Sequence, residues 1–167
     1  YDINFSTNQF LIIGIIIKDY SNLFFEKATT DDEETTELVY FIVTSITEEL
    51  VREKYDAYIC RDEGNLYCIA SLKEPASGDK LKLHTNKVMQ ICEKCEAIIR
   101  EKFGIILSYY VSNIYSDKNN DIKSISQGYQ EIQWGFAQIE SFNLSNPVLN
   151  DKCLMESIAS IENNRDL

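Results

Sequence analysis

The chain has 167 residues, of which 44% are hydrophobic and 26% charged, and its formal net charge is −11 at pH 7. This length suits one domain of ordinary globular composition. A surface with this much negative charge repels phosphate backbones. Direct binding of nucleic acid is therefore not expected. The five cysteines are an odd number, which indicates free thiols and a reducing compartment. No apolar run reaches the length that a membrane span requires.

The first half of the chain alternates between strand and helix patterns. Gln9–Ile17 is a continuous β-branched run, typical of a central strand buried on both faces. Apolar residues that recur every four positions predict a helix over 31–54. Two strands, Tyr55–Cys60 and Leu66–Leu72, follow and are joined by a tight turn.

The second half continues the alternation. A long helix is predicted over Asp79–Phe103, and Gly104 ends it. A strand follows over Ile105–Tyr115, then a helix over 122–142 and a last helix over 150–163. The order β-α-β-β-α-β-α plus a terminal helix predicts an α+β fold with one mixed sheet covered by helices.

The turn Asp62-Glu63-Gly64-Asn65 is the first candidate for chemistry. Two carboxylates at a hairpin tip could hold Mg²⁺, and the glycine could let a phosphate approach closely. The same residue types are also those that a tight hairpin needs in any protein. From the residues alone, the structural interpretation is favoured.

The cysteines and the single histidine are the remaining candidates. Cys92-Glu93-Lys94-Cys95 is a C-x-x-C motif, which can be redox-active or bind zinc, and Cys60 and Cys68 could complete a four-thiolate site. Because the motif lies in the apolar stripe of a predicted helix, packing in the core is favoured. His84 lies in a polar run and is interpreted as a solvated helix position. No metal and no cofactor is predicted.

Four stretches carry a family resemblance: "FLIIGIIIKDYSNL", "YICRDEGNLYCIAS", "GIILSYYVSNIYSD" and "IKSISQGYQEIQWGF". In this order they resemble the GGDEF domain of diguanylate cyclases. More closely, they resemble the degenerate GGDEF-like domain of bacterial AraC-type and PucR-type transcription regulators. The resemblance runs from about Phe10 to Ser141. It implies a nucleotide-cyclase-like, ferredoxin-like sheet in a single domain over 1–167, with a core at about 10–142, excised from a longer regulator.

The sequence departs from the family at the positions that carry catalysis. In the resemblance, Arg61–Leu66 matches the GG(D/E)EF turn but lacks its glycine pair. Ile17 stands where active members have a metal-binding Asp, Lys18 follows it, and Asp19 matches only the second Asp. Phosphoryl transfer needs a metal ion and positioned positive charge. The departures therefore imply that no residue is catalytic.

A third departure lies in the predicted third helix, where the AraC-type and PucR-type regulators carry an S-Y-x-E-A-like pattern. Here the stretch reads Gly128-Tyr129-Gln130-Glu131-Ile132, so the first and last positions differ.

The resemblance implies a non-catalytic regulatory or signal-relay domain that acts through contacts with adjacent domains. It also allows a homodimer through the first or last helix. The domain would be cytoplasmic, either free or as the cytosolic part of a membrane-anchored regulator. The alternative is a nucleotide sensor with a degenerate cyclase pocket, and an active diguanylate cyclase is a third interpretation. The ligand-binding candidates of the sensor are Asp19, Asn22, Asp62, Glu63 and Asn65.

Overall fold

The computed structural model describes residues 4–23, 32–116 and 123–165, which form an α+β fold. A mixed sheet packs against four helices, which confirms the expected class. No helix in these ranges is long and apolar enough to cross a membrane. The strands are β1 (Gln9–Asp19), β2 (Asp56–Asp62), β3 (Asn65–Ser71), β4 (Ile106–Val111), β5 (Tyr115–Ser116) and β6 (Val148–Leu149). The helices are α1 (Asp32–Arg52), α2 (Asp79–Phe103), α3 (Lys123–Ser141) and α4 (Asp151–Arg165).

The sheet has the order β2-β3-β1-β4-β6, so the apolar strand β1 is central as its sequence predicts. β1 is antiparallel to β3 and to β4, and β2 is antiparallel to β3. β6 is parallel to β4, which makes the sheet mixed, and the short β5 pairs with the start of β1. The first four strands are therefore joined as β-α-β-β-α-β.

The strand predicted over Ile105–Tyr115 is wrong in its second half, because β4 ends at Val111. The next residue, Ser112, takes over the pairing with β1. Its Oγ accepts the N–H of Ile12 at 2.8 Å, and its own N–H donates to the Ile12 carbonyl at 2.9 Å. The Ser112 side chain thus replaces one of the two backbone hydrogen bonds at this position, and regular pairing resumes only at β5.

Alternate residues of β1 supply two separate cores. Leu11, Ile13 and Ile15 pack with α1 and α2 in the larger core. Ile12 packs with α3 and α4 in the smaller core on the opposite face. Since a fully buried aliphatic side chain stabilises a fold by about 1.5–3 kcal/mol, β1 contributes more to stability than any edge strand. Both faces of its run are used, as expected of a central strand.

Glycines bring α3 unusually close to the sheet. A Cβ on Gly128 would lie 2.6 Å from Cγ1 of Ile12, and one on Gly135 would lie 2.8 Å from the ring of Tyr110. Because real Cβ atoms do not approach heavy atoms so closely, the two glycines let the helix backbone rest on β1 and β4. This position leaves β2 and β3, which lie on one side of β1, beside the helix rather than beneath it.

Candidate functional site

The hairpin between β2 and β3 has a two-residue turn. Asp62 pairs with Asn65, and the turn residues Glu63 and Gly64 have φ values of 48° and 86°. Positive φ at both positions is what a type I′ turn requires, and its twist matches that of the flanking strands. Glycine and its polar neighbours are therefore explained by the turn itself, as the structural interpretation expects.

One side of the hairpin is fastened to α1. The Tyr40 hydroxyl donates a hydrogen bond to the Gly64 carbonyl. The Arg61 guanidinium lies 3.6 Å from the centre of the Tyr40 ring, and its Nη1 donates to Glu37 Oε1 at 2.8 Å. Because Arg61 and Glu37 are exposed and Tyr40 is only partly buried, each contact contributes only about 0.2–1 kcal/mol. Arg61 is thus directed to the α1 face and away from Asp62.

The other side of the hairpin is fastened to α3. The Tyr129 hydroxyl donates to Asp62 Oδ2 at 2.9 Å, and this bond raises the pKa of Tyr129 to about 12. The rings of Tyr67 and Tyr129 lie 5.1 Å apart at an angle of 44°. Gln133 Nε2 donates to the Tyr67 hydroxyl at 2.6 Å. Asp62 therefore already has a hydrogen-bond partner within the protein.

The stretch that resembles the S-Y-x-E-A-like pattern holds α3 across the sheet. While Tyr129 reaches the hairpin, Glu131 reaches the segment between β4 and β5. Glu131 Oε1 accepts the backbone N–H of Asn113 at 3.0 Å and the Tyr115 hydroxyl at 2.7 Å. Gly128 supplies the close approach to β1. These residues fix the orientation of α3, which is a structural role.

The end of β1 does not present a pair of carboxylates. Ile17 packs against the larger core. Lys18 Nζ donates to the Leu144 carbonyl, and burial lowers the pKa of Lys18. Asp19 Oδ1 accepts the N–H of Ser21 at 2.8 Å, which lowers the pKa of Asp19. Asp19 therefore stabilises the turn that follows its own strand.

Asp19 and Asp62 are held apart by the sheet. They lie on β1 and β2, with β3 between them. The register pairs Ile15 with Leu66 and Asp62 with Asn65, so Asp19 also lies three residues beyond the level of Asp62 along the strands. Two strand spacings across the sheet and three residues along it separate the two backbones by roughly 14 Å, too far for both carboxylates to bind one Mg²⁺. Within the described ranges, no group of three His, Cys, Asp or Glu residues is placed to hold a metal ion.

Two cavities in the described part of the chain each contain one of the five ligand-binding candidates. Asn22 lines an open cavity of about 540 Å³ at the end of α2, together with Arg100. Asp62 lines a different cavity of about 400 Å³ beside α3. Asp19, Glu63 and Asn65 line neither of these two. Neither of these two cavities therefore contains all five residues proposed for a nucleotide site.

The C-x-x-C motif is packed as its helical stripe predicts. Cys92 and Cys95 are fully buried in the larger core with Cys68. Cys60 packs on the opposite face of the sheet, so it does not complete a four-thiolate set. Burial raises the pKa of the Cys92 and Cys95 thiols, which disfavours the thiolates that zinc needs.

His84 is more enclosed than a solvated position would be. Its Nδ1 is 2.8 Å from the Tyr55 hydroxyl, and the two rings meet edge to face. Burial, with a smaller effect of Lys87, lowers the pKa of His84. The contact joins α2 to Tyr55, the residue that precedes β2.

No protein-family model matches the chain, and a search of curated proteins found no match either. The site is thus known from its geometry alone. The sequence did not point to Tyr40 or Tyr67, whose contacts join positions 24 and 66 residues apart. Side chains alternate between the two faces of a strand, so the sequence of β3 places Tyr67 and Ile69 on the same face. This alternation was the signal that could have pointed to Tyr67.

Proposed function

We propose that the chain is a non-catalytic GGDEF-like regulatory domain of a bacterial transcription regulator, which relays a signal through protein contacts. The β-α-β-β-α-β connection of its first four strands supports the ferredoxin-like arrangement that the resemblance implies. The role in transcription rests on the family resemblance alone. The geometry of the domain supports only the proposal that it acts through protein contacts.

The end of β1 is the observation that carries the proposal. Ile17 belongs to the core, Lys18 is bound to the Leu144 carbonyl, and Asp19 holds its own turn. Each of these side chains is therefore committed to structure at the position where a cyclase would need metal ligands. A domain built in this way acts by changing its contacts, which requires two states of different energy.

An exposed apolar pair on α1 is suited to such a contact. Phe41 is 68% exposed and Leu38, one turn away, is 40% exposed. The exposed carboxylates of Glu34 and Glu37 lie on the same helix. A neighbouring domain with an apolar pocket and a basic rim would complement this surface, whereas a second copy of so acidic a chain would be repelled.

The first test is an assay for cyclase activity with GTP and Mg²⁺ or Mn²⁺. We expect no product, because the end of β1 offers no pair of carboxylates to the metal. Linear product formation, lost when Asp62→Ala and Glu63→Ala are combined, would contradict the proposal. A cooperative melting transition of the same protein sample shows that the assayed protein is folded.

The second test concerns the relay in the intact regulator. Phe41→Ser should change transcription from a target promoter several-fold and leave the melting temperature nearly unchanged, because the ring is exposed. Met155→Ser on α4 is the matched control, since Met155 is 55% exposed. The proposed contact at α1 would be contradicted if the two variants changed transcription equally, or if neither variant changed it.

A nucleotide sensor is the second candidate, and one observation favours it. The cavity that Asn22 lines also contains Arg100, a cation of the type that binds phosphate. Arg100 is paired with Glu96 at 2.8 Å, so a phosphate would have to displace that carboxylate. Calorimetric titration with GTP and with cyclic di-GMP, compared with Arg100→Ala, tests this. Binding at 100 times Kd would raise the unfolding free energy by roughly 2.7 kcal/mol.

A further inference from the structure

The 400 Å³ cavity beside α3, which we call the tyrosine cleft, has the size and composition of a small-molecule site. Sites of this kind occupy roughly 300–1,000 Å³ and have mostly apolar walls with a few polar groups. The walls of the cleft are largely apolar and include three isoleucines and two tyrosines, and the other lining residues are one serine, one cysteine and one aspartate. These residues are Ile12, Cys60, Asp62, Tyr67, Ile69, Ile125, Ser126 and Tyr129.

The cleft exists because of where α3 lies. Gly128 and Gly135 seat the helix on β1 and β4, which leaves the same face of β2 and β3 only partly covered by the described residues. Cys60 and Ile69 face this side and remain half-exposed although they pack against the smaller core. An apolar wall of the sheet is therefore left open to a ligand.

The cleft has a negative end. Asp62 lies at the last position of β2, and its neighbour Arg61 is held on the opposite face by Glu37. No Lys, Arg or His is among the described residues that line the cleft. The Tyr129 hydroxyl donates to one oxygen of the Asp62 carboxylate without neutralising its charge.

The walls of the cleft favour an aromatic or cationic ligand, which suits its negative end. The tilted rings of Tyr67 and Tyr129 form a corner that can pack against a flat ring or lie next to a cation. Burial and the Asp62 carboxylate raise the pKa of the Cys60 thiol, so the thiol stays protonated and adds no second charge. Phosphorylated ligands are disfavoured by Asp62 and by the net charge of −11.

From this geometry we propose that the tyrosine cleft binds small aromatic amines. The ring of the ligand lies between the two tyrosines and the isoleucine wall, and its ammonium group meets the Asp62 carboxylate. This site goes beyond the regulatory role proposed above and does not depend on it, since a relay without a ligand and an amine site without a relay are both consistent with the fold.

Calorimetric titration of the folded chain with tryptamine and with tyramine tests the proposal, and indole-3-acetate is the matched anion on the same ring as tryptamine. We expect saturable binding of one equivalent of at least one amine and none of the anion. Asp62→Asn should weaken amine binding by about tenfold or more, because a charge-assisted hydrogen bond is lost. Glu63→Gln removes the same charge one residue away and should leave the affinity nearly unchanged.

Two further measurements keep the test independent of Asp62. Ser126→Phe places a ring into the cleft from an exposed helix position and should abolish binding without unfolding the protein. The bound amine should slow alkylation of Cys60 and leave that of Cys153, on α4, unchanged. No binding of either amine, equal binding of indole-3-acetate, or binding that survives both Asp62→Asn and Ser126→Phe would overturn the proposal.

Discussion

Gly14 of β1 lies directly against Ile132 of α3, because a Cβ on Gly14 would come within 2.3 Å of Ile132 Cγ2. The same Cβ would lie 2.5 Å from Cζ of Phe136. The absence of a side chain at this central strand position is thus what allows α3 to pack on the sheet. The position of α3 in turn defines the tyrosine cleft and the contact between Tyr129 and Asp62.

Gly14→Ala should therefore destabilise the protein. We expect a loss of about 1–3 kcal/mol in unfolding free energy, the usual cost of overpacking a core. Urea denaturation monitored by circular dichroism measures it. Ile132→Ala removes the clashing methyl group, so the cost of Gly14→Ala should be smaller in that background. Equal costs in both backgrounds would show that the strain arises elsewhere.

The adjacent tyrosines of β4 make opposite predictions for the same chemical change. Tyr109 is fully buried, and its hydroxyl lies 2.8 Å from Thr47 Oγ1. Tyr110 is also fully buried, but its hydroxyl has no hydrogen-bond partner among the described residues. Tyr109→Phe should cost about 1–3 kcal/mol because the buried hydrogen bond with Thr47 is lost, and Tyr110→Phe should be neutral or stabilising by up to about 1 kcal/mol.

Thermal and urea unfolding of these two single variants provide the measurement, and each variant is the control for the other. The prediction fails if Tyr110→Phe is the more destabilising change. That result would mean that a group outside the described ranges, or a buried water, satisfies the Tyr110 hydroxyl.

The helices were predictable because their patterns are long and local. The bounds of α2 agree with the sequence, since the apolar stripe of this 25-residue helix ends at Gly104, whose φ of 70° is left-handed. β6 was not predicted, because two residues contain no periodicity. It forms because β4 leaves an unpaired edge, and the Pro147 carbonyl accepts the Tyr109 N–H at 2.8 Å.

The site was less predictable than the fold. The turn residues of the hairpin could be interpreted from composition, but the partners of Asp62 and Arg61 come from helices 67 and 24 positions away. The cleft depends on the offset of α3 from β2 and β3, which is set by close contacts at glycines. A single sequence contains the glycines but does not indicate what they approach.

Thiol labelling separates the cysteines by burial. Cys60 and Cys153 are half-exposed, whereas Cys68, Cys92 and Cys95 are fully buried. Under native conditions at pH 8, two thiols per chain should react with an aromatic disulfide reagent, and all five after unfolding. Cys60 should be slower than Cys153, because burial and Asp62 raise the pKa of Cys60. Rapid reaction of a third thiol would contradict the packing of the C-x-x-C motif.

Alkaline pH should destabilise the fold through the buried thiols. Burial raises the pKa of Cys95 from 9.0 to about 11. The unfolded chain therefore releases this proton first as the pH rises. Stability from Cys95 is fully present below pH 9 and is lost between pH 9 and about 11, by an amount on the order of 3 kcal/mol.

Urea unfolding between pH 7 and 11 measures this loss. Cys95→Ala should flatten the decline, and Cys92 and Cys68, whose pKa values burial also raises, should account for part of what remains. Cys153→Ser on α4 is the control and should keep the wild-type slope. If Cys95→Ala also keeps that slope, the alkaline loss originates in other groups, of which Tyr55, with its pKa raised to about 12 by burial, is the next to test.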